Sequence, residues 1–145
     1  MDPQQPKKRI LFVCMDNAGR SQMAEGLLND FGGGRFEVRS AGIKPAAALN
    51  PDAVAVMQEI GIDMSHNKIK SVSLFRASVF DFGVCVCDAS SEQCPMPAGG
   101  KRILRWSFRE PSGLSGTPEQ EMTAYRDLRD AISAKISSDL LPLLR

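Results

Sequence analysis

Cys14, Arg20 and Ser21 stand in the pattern Cys-x5-Arg-Ser, filled in by Met15, Asp16, Asn17, Ala18 and Gly19. A short loop of this length can turn its backbone N–H groups onto a tetrahedral oxyanion. A helix starting at its end adds a positive N-terminus. Arg20 brings a planar fork of donors that grips two oxygens at once. The same field is expected to lower the Cys14 pKa and make its sulfur a thiolate nucleophile. Ser21 is placed to donate its hydroxyl to that sulfur, and Asn17 to pin the loop through its side chain. Met15, Asp16, Asn17, Ala18, Gly19 and Ser21 are therefore the candidate oxyanion-binding positions. The competing reading is a buried thiol beside an incidental arginine, and the strand–loop–helix context weighs against it.

Three further thiols follow: Cys85, Cys87 and Cys94, the last preceding Pro95. If 87–94 were helical, positions seven apart would lie roughly 10 Å apart along the axis. A disulfide needs Cα atoms within about 7 Å, so bonding Cys87 to Cys94 would unwind such a helix. Pro95 biases Cys94 away from helix. Cys85 and Cys87 alternate along a strand and can both be core thiols; for Cys85 that is the favoured reading. A Cys85/Cys87/Cys94 metal cluster lacks a fourth ligand. The lone His66, read as a surface loop residue, leaves no His-based metal site and no Ser/His/Asp triad.

Elements must bring these groups together. Ile10–Cys14 is an apolar run that reads as a buried parallel strand. Apolar Met23, Ala24, Leu27, Leu28 and Phe31 recur at helical spacing after the loop, and Gly32-Gly33-Gly34 stops that helix. Residues 35–41 alternate as a second strand, and Asn50-Pro51 starts a second helix that ends near Gly61. Residues 68–75 are ambiguous. Val79–Cys87 and Lys101–Trp106 read as third and fourth strands. Thr117-Pro118 starts a last helix running to about Leu141. The order β-α-β-α-β-β-α predicts an α/β fold: a single three-layer domain over residues 9–145, with a four-stranded mostly parallel sheet flanked by helices. Sites in such folds lie beyond the carboxyl ends of the strands, where Cys14 and Cys87 both fall. Residues 1–8, MDPQQPKK, read as a disordered tail.

Composition bounds the function. The chain has 18 Lys plus Arg against 17 Asp plus Glu, which argues against nucleic-acid binding over a broad basic face. The longest apolar run, Ile10–Met15, is far short of the roughly 20 residues of a membrane span. With no secretory signal, a cytoplasmic location and reduced thiols are expected.

The stretch LFVCMDNAGRSQMAEG, together with Ser40-Ala41-Gly42, Gly61-Ile62-Asp63, Cys87 to Pro95, Trp106 to Pro111 and the Gly116-Thr117 helix start, resembles the low-molecular-weight protein tyrosine phosphatase superfamily. It is most similar to the arsenate reductases of that fold. The resemblance implies a low-molecular-weight phosphatase-like domain and reduction of arsenate to arsenite, with phosphate or sulfate as analogues. Cys14, Arg20, Cys87, Cys94 and Glu110 would be its catalytic residues. It implies a relay in which Cys87 attacks Cys14 and Cys94 attacks Cys87, reset by thioredoxin or another thiol reductant. Glu110, before Pro111, stands where the family usually has Asp and would act as general acid; neighbouring Arg109 is placed to hold it ionised. Asp16 replaces a common Gly and would repel an anion unless it points outward. Some of these reductases hold potassium near the loop Asn. Here the corresponding positions are Asn17, Glu25 and Ser40, with Lys70 where the acid is expected; its ammonium would replace the ion, and the competing reading is a solvated surface lysine. No other cofactor is implied, and a monomer is expected. A phosphatase using Cys14, Arg20 and Glu110 alone is the alternative within the fold. A non-catalytic oxyanion-binding redox sensor is the alternative outside enzymology.

Overall fold

The computed structural model describes residues 6–94, 100–111 and 116–145. Pro95 and residues 1–5 of the expected tail lie outside them. The sheet has four strands: β1 Lys8–Cys14, β2 Phe36–Gly42, β3 Phe80–Cys85 and β4 Gly100–Arg105. They lie in the order β2-β1-β3-β4, and every pairing is parallel. β1 begins at Lys8, inside the segment read as tail, because Lys8 pairs with Phe36. β1 is central, and its apolar run is buried on both faces, as a parallel strand requires.

Three α-helices follow the sequence signals: α1 Arg20–Gly32, α2 Pro51–Gln58 and α3 Pro118–Lys135. α1 ends where Gly33 adopts φ 56°, a left-handed cap that costs glycine little. Asn50 caps α2 by accepting from the N–H groups of Asp52 and Ala53. Thr117 and Gln120 form a reciprocal capping box on α3. After Lys135 the chain loosens through a π-helical turn, Ile136–Leu140, and then tightens through a 3-10 turn, Leu141–Leu144. Ile136, Leu140 and Leu144 stay buried there.

The layers are unequal. The large core holds Phe12 and Val84 of the sheet with Met23, Leu28, Val56, Met57 and Ile132 from all three helices. The other sheet face carries Leu11, Val13 and Ala41, covered by Phe75 from a 3-10 turn (Val72–Phe75) and by Cys94. The ambiguous 68–75 segment is thus this thinner layer. It is tied to the sheet by a bridge from Ser71 to Gly42. Among the described residues no helix is long and apolar enough to cross a membrane.

Candidate active site

The Cys14–Ser21 loop joins β1 to α1 at the carboxyl edge of the sheet. Its carbonyls are tied outward. Ile43, Lys44, Ala46 and Asn50 donate their N–H groups to the carbonyls of Cys14 (3.1 Å), Met15 (2.6 Å), Asp16 (3.0 Å) and Ala18 (2.9 Å). In a trans peptide the next N–H points opposite its carbonyl, so the N–H groups of Met15, Asp16, Asn17 and Gly19 turn inward. Gly42 lets the 43–50 segment come this close. A Cβ there would sit 2.8 Å from the Asp16 carbonyl carbon and 2.9 Å from the Asn17 nitrogen. That is the physical reason for glycine in Ser40-Ala41-Gly42.

Asn17 is the only described non-glycine residue at positive φ (57°), and it is fully buried. Four side-chain hydrogen bonds hold it there. Its Nδ2 donates to Ser21 Oγ (2.8 Å) and Ser40 Oγ (3.0 Å), and its Oδ1 accepts from Gln22 Nε2 (3.0 Å) and the Lys70 backbone N–H (2.9 Å). Such local strain persists because the surroundings over-determine it. Ser21 Oγ lies 2.9 Å from Cys14 Sγ, and the Asn17 N–H donates to that sulfur at 3.2 Å. The Asn17 N–H on the sulfur was not expected from the sequence; the Ser21 contact and the pinning by the Asn17 side chain were.

The charge state was not. Burial pushes the Cys14 thiol up. The Ser21 hydrogen bond opposes this, the Asp16 carboxylate adds to it, and Arg20 only partly offsets it. The expected lowering fails for two visible reasons. Asp16 turns into the loop rather than outward: its Oδ1 accepts from Ala18 N–H (3.1 Å) and lies 3.7 Å from Cys14 Sγ. Arg20 has its charge engaged elsewhere. Its guanidinium, 1% exposed, makes two parallel bonds to Glu92, Nη1 to Oε1 at 2.6 Å and Nη2 to Oε2 at 3.1 Å. Nη1 also donates to the Phe108 carbonyl. Its Nε faces Glu110 Oε2 at 3.5 Å, and is the one buried side-chain nitrogen or oxygen among the described residues without a hydrogen-bond partner.

Glu110 therefore reaches the loop mouth on Arg20, and its other oxygen accepts from the Tyr125 hydroxyl of α3. Arg109 is exposed and helps hold Asp88 below the usual carboxylate range, behind the Ser90 hydrogen bonds. The expected partner of Glu110, Arg109, is thus replaced by Arg20 and Tyr125. Sequence pattern gave neither Tyr125 nor Glu92 a functional role.

The three thiols gather beside the loop. β3 ends at Cys85, so Cys87 lies two residues past the strand rather than on it, although Phe108 still donates to the Cys87 carbonyl (3.2 Å). The sulfurs of Cys87 and Cys94 lie 3.9 Å and 3.8 Å from one oxygen, the carbonyl of Val13. That residue immediately precedes Cys14. The 87–94 segment is a turn, not a helix: Ser91 and Glu92 both donate N–H groups to the Asp88 carbonyl, and the chain then runs extended. No helix has to unwind for Cys87 and Cys94 to meet. Four described cysteines are free. The Cys94 thiol is pushed up to about 12. Its hydrogen bond with Cys85 pulls it down, but Cys87, burial and the nearby Cys14 sulfur push harder. Cys85 is buried and pushed up, by its hydrogen bond with Cys94 and then by burial. With Arg105 it holds the Cys94 carbonyl, at 3.4 Å and 3.0 Å.

Around Asn17, Ser40 Oγ donates to Glu25 Oε1 (2.5 Å), and Lys70 Nζ lies 3.8 Å from that oxygen and 3.0 Å from the Lys68 carbonyl. The Lys70 ammonium thus stands beside the carboxylate of this cluster. His66 is 91% exposed in a loop, as expected.

The family model for low molecular weight phosphotyrosine protein phosphatase matches residues 9–107. An arsenate reductase of Halalkalibacterium halodurans is 36% identical over 132 residues, covering 91% of this chain and 94% of that one. A glutaredoxin arsenate reductase of Synechocystis is 28% identical, covering 90% and 95%. A solved arsenate reductase in a phosphate-binding state superposes with a TM-score of 0.79 at 28% identity, covering 95% and 99%.

Proposed function

The chain belongs to the low molecular weight phosphotyrosine protein phosphatase family, and on that premise we propose that it is an arsenate reductase, converting arsenate to arsenite with a thiol reductant. The observation that carries the reading is the convergence of Cys87 and Cys94 on the Val13 carbonyl, against the base of a Cys14 oxyanion loop. A phosphatase needs the loop but has no use for two more thiols there.

In this reading arsenate enters the cradle of inward N–H groups and takes the Arg20 fork. The Cys14 sulfur bonds to arsenic and displaces one oxygen. That oxygen leaves as water, carrying the thiol proton and one arsenate proton, with Glu110 relaying a proton to it. Cys87 as thiolate attacks Cys14 Sγ. The sulfur–arsenic bond breaks with its electron pair on arsenic, which passes from the pentavalent to the trivalent state. Arsenous acid leaves after gaining two protons from solvent. The two electrons gained by arsenic come from the two sulfurs, which are left joined as a Cys14–Cys87 disulfide. Cys94 then attacks Cys87, frees Cys14, and leaves Cys87–Cys94 for an external dithiol. Thioredoxin or glutaredoxin can supply that dithiol, and the segment's position at the surface suits either. In this reading the chain works as a monomer in the reducing cytoplasm.

Lys70 serves here in place of a potassium ion, fixing Glu25 and through it Ser40 and Asn17. Turnover and melting temperature should then be equal in potassium and sodium; a potassium-specific gain in either would overturn this. The principal test is mass spectrometry after one equivalent of arsenate without reductant. Arsenite and a Cys87–Cys94 disulfide are expected. Four intact thiols and no arsenite would refute the reductase reading and leave the phosphatase one.

A further inference from the structure

Arg20 is the strongest anion donor of the loop, yet both of its terminal nitrogens hold a protein carboxylate. That carboxylate, Glu92, sits between the two relay cysteines. Its side chain is 22% exposed, at the wall of a solvent-open cleft of about 500 Å³ shared with Asp88, Ser90, Ser91, Arg109 and Glu110. Glu92 is also what closes its own turn. The oxygen that takes Arg20 Nη1 accepts the Asp88 N–H at 2.6 Å as well. The segment's other ties are local or at its ends: the Ser91 and Glu92 N–H groups to the Asp88 carbonyl, Asp88 Oδ1 to Ser90, Ala89 N–H to Ser107 Oγ, and the Cys94 carbonyl to Arg105 and Cys85. Glu110 already stands beside Nε at 3.5 Å, and Glu92 occupies both terminal nitrogens. An oxyanion taking those terminal nitrogens would lie against Glu92, and like charges at such range repel strongly where water is excluded.

Resting on the reductase reading above, we propose that Glu92 is a positioning residue that trades places with the substrate oxyanion on Arg20, and that this exchange releases the 88–94 turn so that Cys87 and Cys94 become mobile only when the loop is loaded. Binding then arms the relay. An anion on Arg20 displaces Glu92, the turn loses its anchor to α1, and the two thiols leave their resting places against Val13. Reduction reverses the exchange. Arsenate is an anion at neutral pH and arsenous acid is not, so the product gives Arg20 no charge and Glu92 closes again. The pairing also sets a threshold for the substrate. A ligand must outcompete an internal carboxylate, which favours tetrahedral multi-oxygen anions over weak monoanions.

The test uses inorganic phosphate as the probe, because it binds without consuming thiols. Two readouts are taken on the full chain: phosphate affinity by calorimetry, and the rate of Cys94 alkylation by iodoacetamide, followed by peptide mapping. In the natural protein, saturating phosphate should speed Cys94 alkylation severalfold, and this arm requires no variant. Glu92→Gln keeps an acceptor for the Asp88 N–H but removes the charge. It should bind phosphate about tenfold more tightly, and alkylate at Cys94 rapidly with or without phosphate. A salt bridge that merely supports the fold would not make alkylation depend on phosphate. Unchanged Cys94 alkylation on adding phosphate, in a protein that binds phosphate and turns over arsenate, would overturn the inference and leave the reductase reading standing. No phosphate binding by either protein would overturn both.

Discussion

The oxyanion loop and the 87–94 segment flank the same carbonyl, that of Val13, and are held on opposite terms. The loop has its carbonyls tied to residues 43–50, its strained Asn17 fixed by four side-chain bonds, and a glycine at 42 through which the support closes. The segment has one short turn, a carboxylate on loan to Arg20, and a carbonyl held by Arg105 and Cys85. Stability is not uniform across a structure, and parts that must move are drawn from its weakly held end. The loop must present a fixed cradle to a small anion, where a misplacement of about 1 Å is costly. The thiols must travel, so rigidity there would stop the reaction.

Replacing a residue on each side tests that contrast, and the largest effect is expected in the segment. Cys94→Ser should lower steady-state arsenate turnover by about a hundredfold or more, while a single stoichiometric burst of arsenite remains. Loss of the burst as well would mean that Cys94 supports the loop rather than the relay. Next comes the loop's support. Gly42→Ala forces a Cβ to within 3 Å of three loop backbone atoms, and overpacking of this kind costs about 1–3 kcal/mol. A lower melting temperature together with weakened phosphate binding is expected; unchanged binding would show that the cradle is softer than its hydrogen bonds suggest.

A third change sharpens the electrostatics. Asp16 raises the Cys14 pKa, so Asp16→Asn should lower it. Below the pKa the thiolate fraction grows tenfold per pH unit, so the pH profile of Cys14 alkylation should move to lower pH. A shift to higher pH would show that Asp16 holds the loop's shape more than it opposes the thiolate. The smallest effect belongs to Cys85. Cys85→Ala should leave turnover within about twofold, and peptide maps of the oxidised protein should contain no Cys85 disulfide.

Much of this was legible in sequence. The Cys-x5-Arg-Ser loop, the caps at Asn50 and Thr117, the glycine stop after α1 and the β-α-β-α-β-β-α order all follow from local chemistry, in which a residue and its near neighbours decide the outcome. Cys14 and Cys87 meeting at one sheet edge followed from the parallel topology. What failed did so at long range. The 87–94 segment, for which the sequence left helix open, is a locally bonded turn whose Glu92 reaches Arg20, 72 positions away. The low pKa expected for Cys14 assumed that Arg20 faced an empty loop.

The chain by itself therefore determined which groups are present, the loop that can hold an oxyanion, and the sheet that carries it. Periodicity, capping and glycine conformations act over a few residues, and so are written in the order of the sequence. Only the tertiary structure decided how the charges pair. Glu92 with Arg20, Tyr125 with Glu110, and Lys70 with Glu25 are matches across the fold. Coulomb interactions depend on distance and burial in space, and no spacing along a chain encodes either.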